Sequence, residues 1–156
     1  MNEMARILIV DDDESIRKSL SAVLEEEGYI VDTAESGGEA VEKSKVNFYN
    51  LALIDIRLPD MEGTALLGEL RVTVPTMVKI IVTGYPSLAN AIAAVNKGAD
   101  AYILKPLVME NVLKTIKEHL KKQEEARKFS EQRVAEFIET RARELEAEAG
   151  VSQGAH

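Results

Sequence analysis

Five short apolar segments, each followed by a stretch whose apolar residues have helical spacing, constrain the fold of this chain more than any other feature. The segments are residues 6–10, 29–33, 51–55, 78–82 and 101–104. Strands that alternate with helices in this way form parallel sheets with right-handed crossovers. We therefore predict an α/β fold in which a doubly wound, five-stranded parallel sheet carries helices on both faces.

Capping residues and glycines mark the boundaries of the first two helices. The first helix follows an acidic loop, residues 11–15, and ends before Gly28. The second opens at Ser36, with Glu39 three residues later in the spacing of a capping box, and ends near Asn47. Both helices are therefore bounded by residues that favour helix starts and stops.

Helical spacing also predicts which sides of the later helices face the core. The third helix covers residues 63–72 and the fourth lies between Ser87 and Gly98. The fourth helix is predicted to bury one apolar face: Leu88, Ile92 and Val95. The fifth helix is predicted to bury another set of apolar residues: Val108, Val112, Leu113, Ile116 and Leu120.

The stretch from Leu51 to Gly63 ends a buried strand in an acidic residue. Four apolar residues precede Asp55, and Pro59 and Gly63 mark the loop that follows. In an open parallel sheet, ligands bind outside the carboxyl ends of the strands. Asp55 therefore lies where a functional site is expected. Taken alone, it also fits a solvated aspartate that merely caps a strand.

Other strands of the predicted sheet also end in polar residues. Asp11 and Asp12 follow the first strand, Thr83 follows the fourth, and Lys105 follows the fifth. Because the carboxyl ends of parallel strands share one edge of the sheet, these side chains should gather around Asp55. Three carboxylates in a partly desolvated pocket require positive charge, which Lys105 and a Mg²⁺ ion, or Mn²⁺ in its place, would supply. Such a site suits phosphoryl transfer to an aspartate.

Four sequence motifs carry these strand ends: Ile7-Leu8-Ile9-Val10-Asp11-Asp12-Asp13, Asp55 with Pro59 and Gly63, Val82-Thr83-Gly84, and Ala101-Tyr102-Ile103-Leu104-Lys105-Pro106. Jointly, over about residues 5–120, they resemble the receiver domains of two-component response regulators. The resemblance implies a flavodoxin-like sheet with strand order 2-1-3-4-5. It also implies that Asp55 becomes an aspartyl phosphate, in a signalling or phosphorelay pathway, by accepting a phosphoryl group from a histidine kinase or phosphotransfer protein.

The resemblance further implies a set of metal ligands. Asp12 would bind Mg²⁺ directly and Asp11 through water. The other protein ligands of the ion would be the Asp55 carboxylate and the backbone carbonyl of Arg57. The chain would then not be an enzyme in the ordinary sense, because it would catalyse only its own phosphoryl acceptance and hydrolysis.

Three further residues have roles that the resemblance implies at the fourth and fifth strands. Lys105 would pair with the phosphoryl group, Thr83 would swing toward it, and Tyr102 would turn inward as Thr83 leaves its place. The peptide bond before Pro106 would be cis, which is energetically accessible only for bonds to proline. As alternatives, Thr83 could satisfy a backbone group and Tyr102 could be an ordinary residue at the rim of the core.

A second interpretation treats Asp11-x-Asp13 as the nucleophile motif of a phosphohydrolase of the haloacid dehalogenase type. Two features disfavour it: Lys105 is followed by Pro106 and two apolar residues rather than by a second acidic pair, and Asp55 would have no role. A dinucleotide-binding fold is weaker still, since aspartates stand where its glycine motif should be.

Composition limits the location and partners of the chain. It has 156 residues, no Cys and a formal net charge of -8, so disulfides and thiolate zinc sites are excluded. The apolar run between Arg6 and Asp11 has only four residues, too few for a signal peptide or a membrane span, so we expect a cytoplasmic protein without a membrane partner. Residues 1–120 carry 12 Lys+Arg and 19 Asp+Glu, and residues 121–156 carry 7 and 8. This balance disfavours direct nucleic-acid binding.

The chain is predicted to comprise a receiver domain at residues 5–120, a helical extension at 121–149 and a disordered tail at 150–156. Residues 107–149 lack Pro and Gly and are rich in helix formers after position 120, which predicts an extended C-terminal helix. An imperfect apolar stripe runs along the extension: Phe129, Val134, Phe137, Ile138, Ala142 and Leu145.

An exposed apolar stripe of this kind is expected to be buried against another protein surface. A second copy of the chain, an output domain or the receiver itself would serve, and a solvated tail is the alternative. We expect a stand-alone receiver, or one cut from a longer regulator, that signals through the face formed by the fourth helix, fifth strand and fifth helix, here called the 4-5-5 face. That face or the C-terminal helix would support a homodimer.

Overall fold

The computed structural model describes residues 4–84 and 87–154. Within these residues, five strands alternate with five helices: β1 (Arg6–Val10), α1 (Glu14–Glu26), β2 (Ile30–Ala34), α2 (Gly37–Val46), β3 (Leu51–Asp55), α3 (Gly63–Thr73), β4 (Val78–Thr83), α4 (Leu88–Asn96), β5 (Ala101–Leu104) and α5 (Met109–Gly154). The strands form one sheet in the order β2-β1-β3-β4-β5, and each neighbouring pair is parallel. The predicted doubly wound sheet and its strand order are confirmed.

Both faces of the sheet are covered, which explains why the strands are apolar at nearly every position. Leu8 and Ile54 point to one face, where they form a buried cluster with residues of α2, α3 and α4. Ile9 and Leu53 point to the other face, where they pack with residues of α1 and α5. Because side chains alternate between faces, a strand buried on both sides has little room for polar residues before its end. Polar residues therefore collect at the strand ends.

Side-chain caps begin the first two helices, with one difference from the predicted pattern. Asp13 caps α1, and its Oδ1 accepts a hydrogen bond from the Ser15 amide at 2.8 Å. Ser36 caps α2, and its Oγ accepts from the Glu39 amide at 3.2 Å. The Glu39 carboxylate, however, accepts from the Glu35 amide at 3.0 Å, so the return bond of the capping box is displaced by one residue.

Two predictions about buried helix faces are wrong. In α4, Ile92 and Val95 are 51% and 67% exposed, whereas Ala94 is buried; the side chain of Leu88 lies outside the described part of the chain. An alanine lets the backbone of α4 approach the core closely, so its larger apolar side chains face outward. Val108 is also exposed, because α5 begins one residue after it. The other residues predicted to face inward from α5 are buried or partly buried: Val112, Leu113, Ile116 and Leu120.

The helix α5 continues past Ala149, so residues 150–154 do not form the disordered tail that we predicted. A single glycine such as Gly150 costs a helix only about 1 kcal/mol relative to alanine, which does not by itself end it. Residues 155 and 156 lie outside the described residues. The chain divides into two compact units, Met1–Leu120 and Lys121–His156. The functional division into a receiver domain and an extension stays a prediction.

No helix within residues 4–84 and 87–154 has both the length and the apolar character needed to cross a membrane.

Gly63 is the first residue of α3, at the end of the connection from β3, and the backbone around it leaves no space for a side chain. Its amide donates to the Ile56 carbonyl at 2.7 Å. A Cβ atom at this position would lie 2.5 Å from the Asp55 carbonyl oxygen and 2.8 Å from the Ile56 Cα atom. These are backbone atoms, so they cannot move aside without displacing the end of β3. The tight approach explains the spacing between Asp55 and Gly63 in the sequence.

We expect Gly63→Ala to lower the free energy of unfolding by roughly 2 kcal/mol, because the added methyl group overlaps the backbone beneath it. Gly68→Ala in the same helix is the matched control. Its added methyl group would lie 4.0 Å from the Lys97 side chain, and alanine favours the helix, so it should be neutral or stabilising. Urea unfolding followed by circular dichroism measures both. Equal stability of the two variants would contradict the role assigned to Gly63.

Candidate metal and phosphoryl site

The carboxyl ends of β1, β3, β4 and β5 place polar residues at one edge of the sheet. Asp11 directly follows β1, Asp55 is the last residue of β3, and Thr83 is the last residue of β4. Lys105 directly follows β5, and its amide donates to the Thr83 carbonyl at 2.7 Å. Thr83 is paired with Leu104 in the β4–β5 register, so the two strands end at the same level. The parallel topology therefore assembles the site.

Three carboxylates form a cluster at this edge. One oxygen of each of Asp11, Asp12 and Asp55 lies within 4.8 Å of the other two. Asp11 and Asp55 are buried, with 3% and 8% of their surface exposed, whereas Asp12 is exposed. Two oxygens bound to one Mg²⁺ ion at about 2.1 Å lie at most about 4.2 Å apart. The carboxylates therefore need only small movements to bind a common ion.

Lys105 lies between the two buried carboxylates. Its Nζ atom is 3.4 Å from Asp11 Oδ2 and 3.4 Å from Asp55 Oδ2. The Lys105–Pro106 peptide is cis, as the resemblance implied. One ammonium group thus pairs with two buried carboxylates from different strands.

The surroundings of Asp11 disfavour its negative charge. Burial raises the pKa of Asp11, and the nearby Asp55 carboxylate acts in the same direction. The Asp13 amide, which donates to Asp11 Oδ1 at 2.9 Å, lowers the pKa in part, as does Lys105. Because the raising effects prevail, the charged form of Asp11 is destabilised, and a nearby cation would stabilise it.

The donor set suits a hard divalent cation. Three carboxylates and one ammonium carry a formal excess of two negative charges, and all the candidate ligand atoms are oxygens. This combination fits Mg²⁺, which Asp11, Asp12 and Asp55 would hold. Arg57 lies beside them, and its amide donates to Asp55 Oδ1 at 3.3 Å. The role of its carbonyl as a metal ligand stays a prediction.

The two residues predicted to act as a switch lie in the adjoining part of the sheet. Thr83 is fully buried. Tyr102, on β5, packs against the cluster that contains residues of α4. Its hydroxyl group is buried and has no hydrogen-bond partner among the described residues. A buried hydroxyl without a partner costs about 1–3 kcal/mol.

Two residues that support the site were missed by the sequence analysis. Arg17 donates to the Asp11 carbonyl at 2.7 Å and lies 3.3 Å from the Glu35 carboxylate, so it ties the acidic loop to the end of β2. Asp60, in the loop after β3, accepts hydrogen bonds from amides at the start of α2. Neither has a spacing that marks it in the sequence, because the Glu35 partner of Arg17 and the amide partners of Asp60 come close only in the fold.

A family model described as "Response regulator receiver domain" matches residues 7–117 of the chain. Among curated proteins, the transcriptional regulatory protein ZraR of Escherichia coli K12 is 38% identical over 114 residues, which is 73% of this chain and 26% of ZraR. The response regulator ArlR of Staphylococcus saprophyticus is 34% identical over 120 residues, which is 77% of this chain and 54% of ArlR. The chain therefore spans only part of the length of these relatives.

Solved structures show the same similarity. A CheY-like response regulator receiver domain protein from Methanospirillum hungatei JF-1 is 51% identical, with a TM-score of 0.78 over 80% of this chain and 99% of that one. The receiver domain of NtrC4, solved in solution as a beryllofluoride-activated dimer, is 41% identical with a TM-score of 0.74, over 77% of this chain and 99% of that one.

In buffer without Mg²⁺ at neutral pH, Asp11→Asn should raise the melting temperature by a few degrees. The substitution removes a buried charge that is repelled by Asp55, while the amide oxygen can still accept from Asp13. The gain should disappear as the pH falls through the raised pKa of Asp11, because the wild-type carboxyl is then also neutral. Mg²⁺ should stabilise the wild type more than the variant. Thermal unfolding by circular dichroism checks both effects, and a less stable variant in metal-free buffer at neutral pH would contradict this account.

Proposed function

Because this chain belongs to the response regulator receiver domain family, we propose that it is a phospho-accepting module of two-component signalling with Asp55 as the acceptor. The observation that carries the proposal is the position of the Asp55 carboxylate, which lies 3.4 Å from the Lys105 ammonium inside the carboxylate cluster. The donor would be a phosphohistidine of a histidine kinase or phosphotransfer protein. Because the chain spans only part of its relatives, the activity of a whole regulator is not assigned to it.

The proposed reaction uses Asp55 as the nucleophile. A carboxylate oxygen attacks the phosphorus atom in line with the phosphohistidine P–N bond, and the P–O bond of an acyl phosphate forms as the P–N bond breaks. The released imidazole keeps the nitrogen electron pair. Bound Mg²⁺ would supply positive charge to the phosphoryl oxygens. Lys105, whose Nζ atom lies 3.4 Å from Asp55 Oδ2, would pair with one of these oxygens. Water would later hydrolyse the acyl phosphate, releasing inorganic phosphate and restoring the Asp55 carboxylate.

We propose no turnover of an external substrate. In the phosphohydrolase alternative, Asp11 and Asp13 would form the nucleophile motif. The Asp13 carboxylate instead caps α1, where it accepts from the Ser15 amide at 2.8 Å. The family match also favours the receiver function, in which Asp55 has a role.

The switch proposed for the phosphorylated state involves Thr83 and Tyr102. A phosphoryl group on Asp55 would offer oxygens to the Thr83 hydroxyl, and movement of Thr83 would leave space for Tyr102. The buried Tyr102 hydroxyl, which has no hydrogen-bond partner among the described residues, supports this proposal, since a rearrangement that gave it a partner would lower its free energy. The phosphoryl group would thereby shift a pre-existing equilibrium between two arrangements.

The 4-5-5 face is the proposed output surface. Large apolar side chains are exposed in α4, in β5 and in the connection that leads to α5: Ile92, Val95, Leu104 and Val108. Association with a second copy or with a target protein would cover them. The activated dimer reported for the NtrC4 receiver domain supports self-association as one form of output.

The C-terminal extension is a second candidate dimer surface. Ion pairs along the helix, such as those of Arg127 with Glu124 and Glu131, stabilise it internally. Among residues 121–150 of this unit, five large apolar side chains are exposed: Phe129, Val134, Phe137, Ile138 and Leu145. Whether it acts as a linker or as a dimerisation helix stays open to experiment, as does our prediction that this chain does not itself bind nucleic acid.

Asp55→Asn should abolish labelling by acetyl phosphate in the presence of Mg²⁺ while leaving the fold intact. Asparagine keeps the size of the side chain but lacks the nucleophilic carboxylate. Intact-mass spectrometry, followed by mapping of the modified residue, measures the result. Labelling that persists in Asp55→Asn, or steady phosphate release from phosphate esters by the wild type, would contradict the proposal and favour the phosphohydrolase.

Beryllofluoride with Mg²⁺, as a mimic of the phosphoryl group, should increase the molar mass of the wild type in multi-angle light scattering. The Asp55→Asn variant is the control and should not respond. Loss of the response in Val95→Ser would identify the 4-5-5 face as the contact, and loss in Phe137→Ser would identify the helix. An unchanged mass of the wild type across the micromolar concentration range would argue against self-association as the output.

A further inference from the structure

The loop after β3 is fastened to the start of α2 by the side chain of Asp60. Its Oδ1 atom accepts a hydrogen bond from the Gly37 amide at 2.9 Å, and its Oδ2 atom accepts from the Gly38 amide at 2.8 Å. These amides belong to the first turn of α2, where backbone N–H groups have no partner within the helix. The two amide donors lower the pKa of Asp60, so its side chain accepts these hydrogen bonds as an ionised carboxylate.

The neighbouring residue brings the loop and the helix into close contact. A side chain at Gly37 would overlap the Met61 side chain, including its sulfur atom. Glycine at position 37 thus lets Met61 lie directly on the helix start. Asp60 and Met61 together fix the tip of the loop against α2 by hydrogen bonds on one side and packing on the other.

The same loop leads directly back to the reactive carboxylate. The two arms of the loop, residues 57–58 and residues 61–62, are joined by two backbone contacts. The Leu58 amide donates to the Met61 carbonyl at 3.2 Å, and Arg57 and Glu62 form an antiparallel bridge. The Arg57 amide in turn donates to Asp55 Oδ1 at 3.3 Å. Because the arms are cross-linked, a displacement of the tip moves the Arg57 backbone and, through it, the Asp55 carboxylate.

We infer that Asp60 is a positioning residue for the metal and phosphoryl site. By holding the loop against α2, it fixes the orientation of the Asp55 carboxylate and of the Arg57 backbone, and so raises the affinity of the unphosphorylated protein for Mg²⁺. This inference rests on the proposed function, because it assigns Asp60 to the same site. It adds a residue that lies outside the carboxylate cluster and touches neither the phosphoryl group nor the ion.

The test compares Asp60→Ala with Ser36→Ala. Both substitutions remove a side-chain acceptor from the N-terminus of α2, but the Ser36 side chain accepts from the Glu39 amide of the same helix rather than from the loop after β3. Both variants should therefore melt at a lower temperature than the wild type. Isothermal titration calorimetry with MgCl₂ should show a dissociation constant raised about 10-fold in Asp60→Ala, as is typical when a residue that orients a ligand is removed, and less than about 2-fold in Ser36→Ala.

Asp60→Asn provides a graded measurement, because its single carbonyl oxygen can accept from only one of the two glycine amides. Its Mg²⁺ dissociation constant should lie between those of the wild type and Asp60→Ala. In ¹H–¹⁵N spectra of the metal-free protein, the Gly37 and Gly38 amide signals should shift in proportion to the lost bonds.

Equal Mg²⁺ affinities for Asp60→Ala and Ser36→Ala would overturn the inference and reduce Asp60 to a helix cap. That result leaves the proposed function intact if the wild type binds Mg²⁺ and is labelled at Asp55. Failure of the wild type to bind Mg²⁺ or to be labelled would instead overturn the proposed function itself.

Discussion

Two buried carboxylates that face the same ammonium group are the interaction on which the site depends. Asp11 and Asp55 come from different strands, and Lys105 lies 3.4 Å from each of them. Burial and the mutual repulsion of the two acids make their charge costly, as the raised pKa of Asp11 indicates. One lysine does not balance the three clustered acids. The resulting excess of negative charge favours the binding of a divalent cation by these carboxylates.

The cluster of buried acids and Lys105 is held in place by contacts that lie mostly outside the cluster. The parallel register brings the strand ends level, and Gly63 allows α3 to begin against the backbone of Asp55. Arg17 anchors the carbonyl of Asp11, and Asp60 anchors the loop after Asp55 to α2. The Asp60 contact joins segments more than 20 residues apart in sequence. The site thus depends on the relative positions of several layers of the fold.

The sequence was sufficient to predict the sheet and the carboxylate cluster, because both follow from simple periodic rules. Uninterrupted apolar runs require strands buried on two faces, and parallel strands bring the acids at their ends together. The inward face of α4 was predicted wrongly, since hydrophobicity favours Ile92 and Val95 over Ala94, whereas close approach of the helix favours the smaller residue. Arg17 and Asp60 could not be predicted, because their partners are backbone groups whose positions only the folded chain defines.

The most direct test of the central claim is a Mg²⁺ titration of the uniformly ¹⁵N-labelled wild type, followed by ¹H–¹⁵N correlation spectra. If the acids at the sheet edge hold the ion, saturable shifts should concentrate in the amides of residues 11–13, 55–57 and 105, while those of residues 125–145 stay unchanged. Shifts that are absent, that do not saturate, or that centre on the C-terminal helix would contradict the claim that these carboxylates form a cation-binding site.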